Sequence, residues 1–171
     1  MLFPRVSLSD SGGSVVCTAR VKVVRLRRRI AMYADVGHTD PVLIITGREM
    51  IGCAMTYDVV DGETREVLGC VRRPGFLSTD RARWRLFDTG EQEVARIRLA
   101  RAPSPLSSAL RGILPRTWEV AADGVDRVSA RFQEKWVASG ITVDVEFFSG
   151  EGDLLDRRLV VAGLMLLLFV R

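Results

Sequence analysis

The sequence has 171 residues, of which 47% are hydrophobic and 27% are charged. A chain of this length forms one ordinary domain, which buries about 70% of the surface that its unfolded form exposes. These proportions exclude a disordered tail, a collagen-like polymer and a multi-pass membrane protein. The composition therefore predicts a globular domain, but it does not indicate a function.

The charge of the chain is mildly positive. The 25 lysine and arginine residues exceed the 21 aspartate and glutamate residues, which gives a net charge of +4. An excess of this size permits an anionic partner without requiring one.

The cysteines and the start of the chain indicate the compartment. Cys17, Cys53 and Cys70 are odd in number and show no CxxC spacing, so they support neither a disulfide framework nor a zinc site. Residues 1–16 lack the continuous apolar run of a signal peptide. Together these features predict a cytoplasmic protein with reduced thiols, no bound metal and no other cofactor.

The polar stretch SDSGGS at 9–14 predicts a flexible segment over 1–14, followed by a single domain over 15–171. Within that domain apolar and polar residues alternate. Ala95, Ile97 and Leu99 alternate with two arginines, and the same period of two occurs at 127–132 and 141–147. This period is typical of strands in an antiparallel sheet with one face in water.

A hairpin unit is repeated between Tyr57 and Arg98, with an offset of 27 residues. Each copy has an aromatic-led strand, a turn rich in Asp, Gly and Thr, and a second strand with Val or Ile, which predicts two equivalent hairpins. A third copy begins at Trp118, and 33–46 resembles a degenerate first copy. The aligned pairs are Tyr57 with Trp84, Val59 with Leu86, Val60 with Phe87, Asp61 with Asp88, Glu66 with Glu93 and Val67 with Val94.

A helix is predicted at the C-terminus, over about 154–170. Asp153 is placed to cap it, and Asp156 lies in its first turn, near the positive end of the helix dipole. From Leu159 to Val170 no side chain is polar, so the helix has no face suited to water. It must therefore be enclosed, either by protein or by a membrane.

The length of this apolar run favours enclosure by protein. The 12 residues span about 18 Å, whereas a helix crosses a hydrocarbon core of about 30 Å with about 20 residues. Strands of five or six residues span about 17–20 Å, so a closed sheet can surround the helix along its length. The alternative is a short tail anchor flanked by Arg157, Arg158 and Arg171.

Four segments carry a family resemblance: TYDVVDGETREVLGCVRR (56–73), RWRLFDTGEQEVARIR (83–98), GITVDVEFF (140–148) and DRRLVVAGLMLLL (156–168). In this combination of repeated hairpins and an apolar C-terminal helix, the chain resembles the Tubby C-terminal-like superfamily, specifically its LURP-one-related and phospholipid-scramblase-like branches. The resemblance implies a mainly β fold, in which a closed antiparallel barrel of about twelve strands surrounds the buried C-terminal helix.

The resemblance also implies several activities. Tubby domains bind phosphoinositides through basic surface residues, scramblase-like members associate with membranes and are linked to lipid movement and calcium, and plant LURP-one-like members are linked to defence. This chain departs from the scramblase pattern, because it lacks a proline-rich or cysteine-rich N-terminal segment. Its acidic residues Glu151, Asp153 and Asp156 are too sparse for a calcium loop.

The residues that could form a catalytic, metal or dinucleotide site have simpler explanations. His38 is the only histidine and lies in a turn-forming segment without convergent partners. Gly150 and Gly152 lack the third glycine and the βαβ context of a dinucleotide site. The carboxylate pairs at 58/61 and 91/93 lie at hairpin turns, where acids bond the local backbone. We therefore predict a protein that is not an enzyme.

The basic residues give the remaining candidate site. Residues 20–29 contain six cations, and further arginines lie at 72–73 and 81–85. Arg28 shares its even position with Leu26 and Ile30, so one arginine of this strand faces inward or marks a bulge. The competing interpretation is a solvated sheet face whose charges protect strand edges. The predicted residues for binding anionic lipid are Arg25, Arg27, Arg29, Arg72 and Arg73.

The sequence thus predicts a binding or regulatory module at anionic phospholipid surfaces, peripheral to the inner face of the membrane. The alternatives are a protein–protein interaction module without a lipid ligand, and a tail-anchored scramblase-like membrane protein. A carrier of a hydrophobic small molecule conflicts with a helix that fills the barrel. Nucleic acid is disfavoured as a partner, because no aromatic residues interleave with the arginines to stack bases.

Overall fold

The computed structural model describes residues 5–9, 14–24, 27–34, 40–48, 55–73, 75, 82–100, 115–122, 127–137, 140–148 and 155–169. These residues form an antiparallel sheet of 11 strands and a C-terminal helix, α1, at Arg157–Phe169. The mainly β fold is therefore confirmed. The strands are β1 (Arg5–Ser9), β2 (Val15–Val24), β3 (Arg27–Tyr33), β4 (Pro41–Gly47), β5 (Met55–Asp61), β6 (Val67–Arg73), β7 (Ala82–Phe87), β8 (Glu93–Leu99), β9 (Thr117–Ala122), β10 (Val128–Val137) and β11 (Gly140–Phe147).

The sheet is a meander in which each strand pairs with the strands that precede and follow it in the chain. Within the described residues, β1 and β11 each have a single neighbouring strand, so the sheet is open between them. The expectation of a closed barrel of about twelve strands is thus met in part. The described residues show an antiparallel sheet of 11 strands and the helix, but they do not show a closed barrel.

The hairpins β5–β6, β7–β8 and β9–β10 share one pairing pattern at their inner face. In each, an aromatic residue of the first strand pairs with a branched or aromatic residue of the second, and both side chains are buried. The predicted repeat and its third copy are confirmed by these equivalent positions. The pairs are Tyr57 with Val71, Trp84 with Ile97, and Trp118 with Phe132.

The turns of the first two copies differ by one residue. The N–H of Asp61 donates to the carbonyl of Glu66 (2.9 Å), whereas the N–H of Asp88 donates to the carbonyl of Gln92 (3.0 Å). The left-handed residue of each turn is likewise displaced, with φ of 64° at Arg65 and 58° at Glu91. The second turn is therefore one residue shorter.

This shorter turn changes the offset of the repeat from 27 to 26 residues after the turn. Val71 consequently corresponds to Ile97, because each pairs with the leading aromatic residue of its hairpin. The predicted equivalence of Glu66 with Glu93 and of Val67 with Val94 is wrong by one residue. An alignment without gaps does not show that the second turn is one residue shorter than the first.

The β3–β4 hairpin is the degenerate first copy, but it begins earlier than predicted. Ile30 pairs with Ile45 and occupies the place that Tyr57 has in its hairpin. Tyr33 is the last residue of β3 and pairs with Pro41. The predicted start at Tyr33 is wrong because the leading position of this copy is aliphatic.

The core lies between the inner face of the sheet and α1. Strands β2 to β10 each contribute buried side chains to one cluster with the helix. Residues 162–167 of α1 are all buried, and six successive residues pass around the full circumference of a helix. Over these residues α1 is therefore enclosed on every side, as predicted for a helix without a polar face.

The helix begins later than expected. Leu155 and Asp156 precede it, and α1 begins at Arg157. The side-chain Oδ1 of Asp156 accepts a hydrogen bond from the N–H of Arg158 (2.8 Å), and its carbonyl accepts from the N–H groups of Leu159 and Val160. Asp156 is therefore the N-cap. The predicted cap at Asp153 and start at 154 are wrong, since Asp156 satisfies the same rule one turn later.

The N-terminal segment also differs from expectation, because residues 5–9 form β1 within the range 1–14 predicted to be flexible. β1 pairs antiparallel with β2 from Arg5 with Arg20 to Ser9 with Val15. Its sequence alternates Val6 and Leu8 with polar residues, which is the period of a strand. The glycine-rich stretch that follows β1 resembles a linker, so the predicted start of the domain falls after this strand.

Two of the three cysteines are described. Cys17 and Cys70 are buried, and burial raises the pKa of the Cys70 thiol. Cys53 lies outside the described residues.

Candidate functional site

The predicted lipid-binding arginines lie on two separate strands. Arg29 is exposed on β3, where Arg27 is also found, while Arg72 and Arg73 are half-buried on β6. Strands β4 and β5 lie between them, so three strand spacings, about 14 Å, separate the two groups. Arg25 lies outside the described residues. The structure therefore does not gather the five residues into one cluster.

Arg72 and Arg73 pack on aromatic rings. The guanidinium carbon of Arg72 lies 4.4 Å from the ring centroid of Phe87, and that of Arg73 lies 5.8 Å from the Trp84 ring. The Nε of Arg72 also donates to the hydroxyl of Thr56 (3.4 Å). Such cation–π contacts stabilise the sheet. Sequence reasoning missed them because the rings come from a different strand.

Among the described side chains, Arg48 after β4 and four arginines of β7, β8 and β10 form ion pairs with acids of the same strand, a neighbouring strand or a turn. Arg48 bonds two acids at once, and these hydrogen bonds, first the one to Asp58, raise the pKa of its guanidinium further above its ordinary value. This part of the outer surface is an alternating network of both signs. The ion pairs are Arg48–Asp58 (2.7 Å), Arg48–Glu91 (3.1 Å), Arg85–Glu93 (3.6 Å), Arg96–Glu93, Arg98–Glu119 (3.7 Å) and Arg131–Glu119 (3.6 Å).

Cations lie opposite cations in two parts of the sheet. Arg85 lies opposite Arg72 and Arg96. Glu93 forms ion pairs with Arg85 and Arg96.

The first three strands, in contrast, contain no acid. In the backbone register, Lys22 lies opposite Arg29 and Arg5 lies opposite Arg20. The sequence contains no acidic residue from 11 to 34. Like charges directly opposite one another destabilise a sheet. We call β1, β2 and β3 together the cationic edge.

Arg29 is the best-defined side chain of the cationic edge. It is exposed, and no acidic side chain forms an ion pair with it among the described residues. Its strand neighbours Ile30 and Met32 are in the core, so these two even positions of β3 face inward. Arg28 shares that parity and pairs with Val23.

A second charged cluster joins the start of α1 to the β5–β6 turn. The Nη1 of Arg158 donates to Oδ2 of Asp61 (2.6 Å), and its Nη2 donates to Oδ2 of Asp156 (2.7 Å). The other oxygen of Asp61 accepts from the N–H groups of Glu63 and Thr64, each at 2.9 Å. We call Asp61, Asp156 and Arg158 the helix latch.

The helix latch has the electrostatics of a structural contact. Hydrogen bonds from the turn backbone, first that of Thr64, and from Arg158 hold the pKa of Asp61 below its usual range. The side-chain hydrogen bond from Arg158 does the same for Asp156. Gly62 beside the latch has no room for a side chain, because a Cβ there would lie 1.6 Å from the carbonyl oxygen of Pro41. The latch therefore fixes the helix onto the sheet.

Five candidate residues from the sequence analysis lie outside the described residues: His38, Gly150, Glu151, Gly152 and Asp153. Within the described ranges, no three His, Cys, Asp or Glu side chains are grouped to hold a metal ion. No helix in that same part of the chain is both long and apolar enough to cross a membrane.

Comparisons with known proteins do not assign the chain to a family. No family model matches it, and neither curated proteins nor solved structures give a match. The resemblance to the Tubby C-terminal-like superfamily therefore stays a prediction.

Proposed function

We propose that this protein is a non-enzymatic binding module whose cationic edge associates with anionic phospholipid surfaces. The observation that carries the proposal is the pairing of Lys22 with Arg29 and of Arg5 with Arg20, on strands that contain no acids. Arg85 and Arg96, which also lie opposite one another, both form ion pairs with Glu93. The repulsion within the cationic edge is relieved when an anionic surface approaches it.

According to the register, three cations of the cationic edge share one face of the sheet. Residues two positions apart share a face of a strand, so Arg20 and Lys22 lie on the same face, and Arg29 is opposite Lys22. Each basic residue near an anionic leaflet contributes about 1 kcal/mol. A few such residues give reversible association that depends on salt.

The proposed site keeps Arg25, Arg27 and Arg29 of the sequence prediction and adds Arg20 and Lys22. Arg72 and Arg73 are left out, because both guanidinium groups lie on aromatic rings. The location that fits this function is peripheral, at the cytoplasmic face of a membrane, where the anionic lipids are found.

The family resemblance supports a further proposal about the fold, that the sheet closes into a barrel of about twelve strands around α1 when a strand is added between β1 and β11. Eleven meandering strands place β1 and β11 parallel to one another. An antiparallel closure therefore needs a twelfth strand between them.

The lipid proposal is tested by a double charge reversal, Lys22→Glu with Arg29→Glu. Because the pair remains a pair of like charges, the free energy of unfolding changes little. Binding to phosphatidylcholine vesicles that contain phosphatidylserine, measured by flotation at low salt, falls by at least about tenfold.

The matched control is Arg65→Glu with Arg127→Glu, which changes the net charge equally at two exposed turn residues. This variant retains at least half of the vesicle binding if the site is the cationic edge. Equal loss in both variants would indicate a response to net charge alone. If the parent protein did not bind the anionic vesicles at low salt, the result would favour the alternative of a protein–protein interaction module.

A further inference from the structure

The inner face of β11 is less completely covered than that of its neighbour. On β10, Ala130 and Phe132 are fully buried, whereas Val143 and Val145 of β11 are only half-buried. Phe147 is half-buried as well, under the guanidinium of Arg157 at 5.2 Å. The apolar core therefore reaches the free edge of β11, where the neighbouring strand on that side is missing from the described sheet.

The outer face of β11 is acidic. Thr142, Asp144 and Glu146 are exposed. Asp144 forms an ion pair with Lys135 on β10, but no ion pair engages Glu146 among the described residues. β11 thus offers an edge that is apolar on one face and acidic on the other.

A second copy of this chain is a poor occupant of the edge. Two β11 strands paired antiparallel would bring Asp144 and Glu146 of one copy close to the same acids of the other, and like charges in cross-strand positions are destabilising. An incoming strand with cations at these positions would instead gain cross-strand ion pairs.

We propose that the free edge of β11 is a strand-addition site for an extended segment of a partner protein, in which apolar residues alternate with lysine or arginine. The segment runs antiparallel to β11. Its apolar residues extend the row of Val143, Val145 and Phe147, and its cations lie beside Asp144 and Glu146. Main-chain hydrogen bonds supply affinity in this mode, and alternate side chains supply specificity. The parallel direction of β1 permits the same segment to pair with both edges.

The test uses a labelled peptide of alternating valine and arginine, equal in length to the 8 residues of β11. Two comparison peptides have the same composition with valines and arginines in separate blocks, or glutamate in place of arginine. Binding is followed by fluorescence anisotropy, and amide hydrogen exchange identifies the strand that is covered. The alternating basic peptide binds at least about tenfold more tightly than the blocked one, and slows exchange in β11.

The decisive variant is Glu146→Lys. It weakens binding of the basic peptide about fivefold and strengthens binding of the glutamate peptide, because the cross-strand pair is reversed. Glu63→Lys, at an exposed acid in the β5–β6 turn, leaves both affinities unchanged. A folding defect caused by the substitution at position 146 would weaken the binding of both peptides, so it would not reverse the preference between them.

Three results would overturn the proposal. Equal binding of the blocked peptide would show an unspecific electrostatic contact. Slow exchange of all β11 amides in the free monomer would show that the chain covers its own edge. A concentration-dependent dimer with β11 protected would assign the edge to a second copy.

Discussion

Individual arginines of this protein have distinct environments, although the sequence distributes them in similar alternating patterns. Arg72 lies on the Phe87 ring, Arg98 lies beside Glu119, and Arg29 is exposed without an ion pair among the described residues. Which of these environments an arginine has depends on the residues opposite it and diagonal to it on the neighbouring strands. A period of two predicts the face of the sheet correctly, but it does not predict the register that selects this neighbour.

At the residue scale, Leu166 tests the enclosure of the helix. The side chain is fully buried, so Leu166→Asp places an unpaired charge in the core, which costs several kcal/mol against a total stability of about 5–15 kcal/mol. We expect this variant not to fold. Leu166→Ala, which leaves a cavity, lowers the free energy of unfolding by about 2–5 kcal/mol, measured by urea titration.

Leu166→Met is the matched control, because it nearly conserves volume and costs less than about 1.5 kcal/mol. If Leu166→Asp melted cooperatively near the parent temperature, the packing of α1 inside the sheet would be refuted.

At the scale of elements, the hairpins were the most predictable part of the fold. The leading residues Tyr57, Trp84 and Trp118 mark equivalent strands, because an aromatic residue at this place packs into the core in each copy. The errors lie in the turns and ends. A turn shorter by one residue shifts the second strand of a repeat, and Asp153 and Asp156 satisfy the capping rule equally well in the sequence.

The helix latch gives an element-scale prediction about pH. The pKa values of Asp61 and Asp156 are lower in the folded protein. Their stabilisation is therefore fully present above the unfolded pKa of about 3.9 and is lost as pH falls through the lower folded values. Asp61→Asn should destabilise the protein at neutral pH, and this difference in unfolding free energy should shrink under acid.

Arg158→Gln provides the control for this interpretation, since it removes the ion pair from the opposite side. Its effect on the unfolding free energy should show the same decline towards low pH, and the double variant should be less destabilised than the sum of the single ones. An effect of Asp61→Asn that stays constant across pH would mean that backbone hydrogen bonds, and not the carboxylate charge, hold the turn.

At the scale of the whole molecule, the mainly β sheet and the enclosed helix were predicted correctly, whereas the predicted closed barrel is not shown by the described residues, in which β1 and β11 are edge strands. Closure depends on the number of strands. The sequence prediction did not include β1, because this strand lies beside a glycine-rich stretch that resembles a linker. The number of strands has a functional consequence as well. A meander with an odd number of strands leaves β1 and β11 parallel, so the cationic edge and the acidic face of β11 lie at the two edges of the sheet that the described residues form.

The final prediction concerns the cooperativity of the whole molecule. Strands β2 to β10 and α1 share one cluster of buried side chains, so neither the helix nor the sheet keeps a core without the other. We expect urea unfolding to give coincident transitions by tryptophan fluorescence, which reports on Trp84 and Trp118 in the core, and by far-ultraviolet circular dichroism, as two-state unfolding requires. In native-state hydrogen exchange, amides of 162–167 and of the central strands should open with the same free energy, whereas β11 should open more easily because it pairs with only one strand among the described residues. Helix amides that exchange well before those of β5 and β7 would show instead that α1 docks on a sheet that is stable by itself.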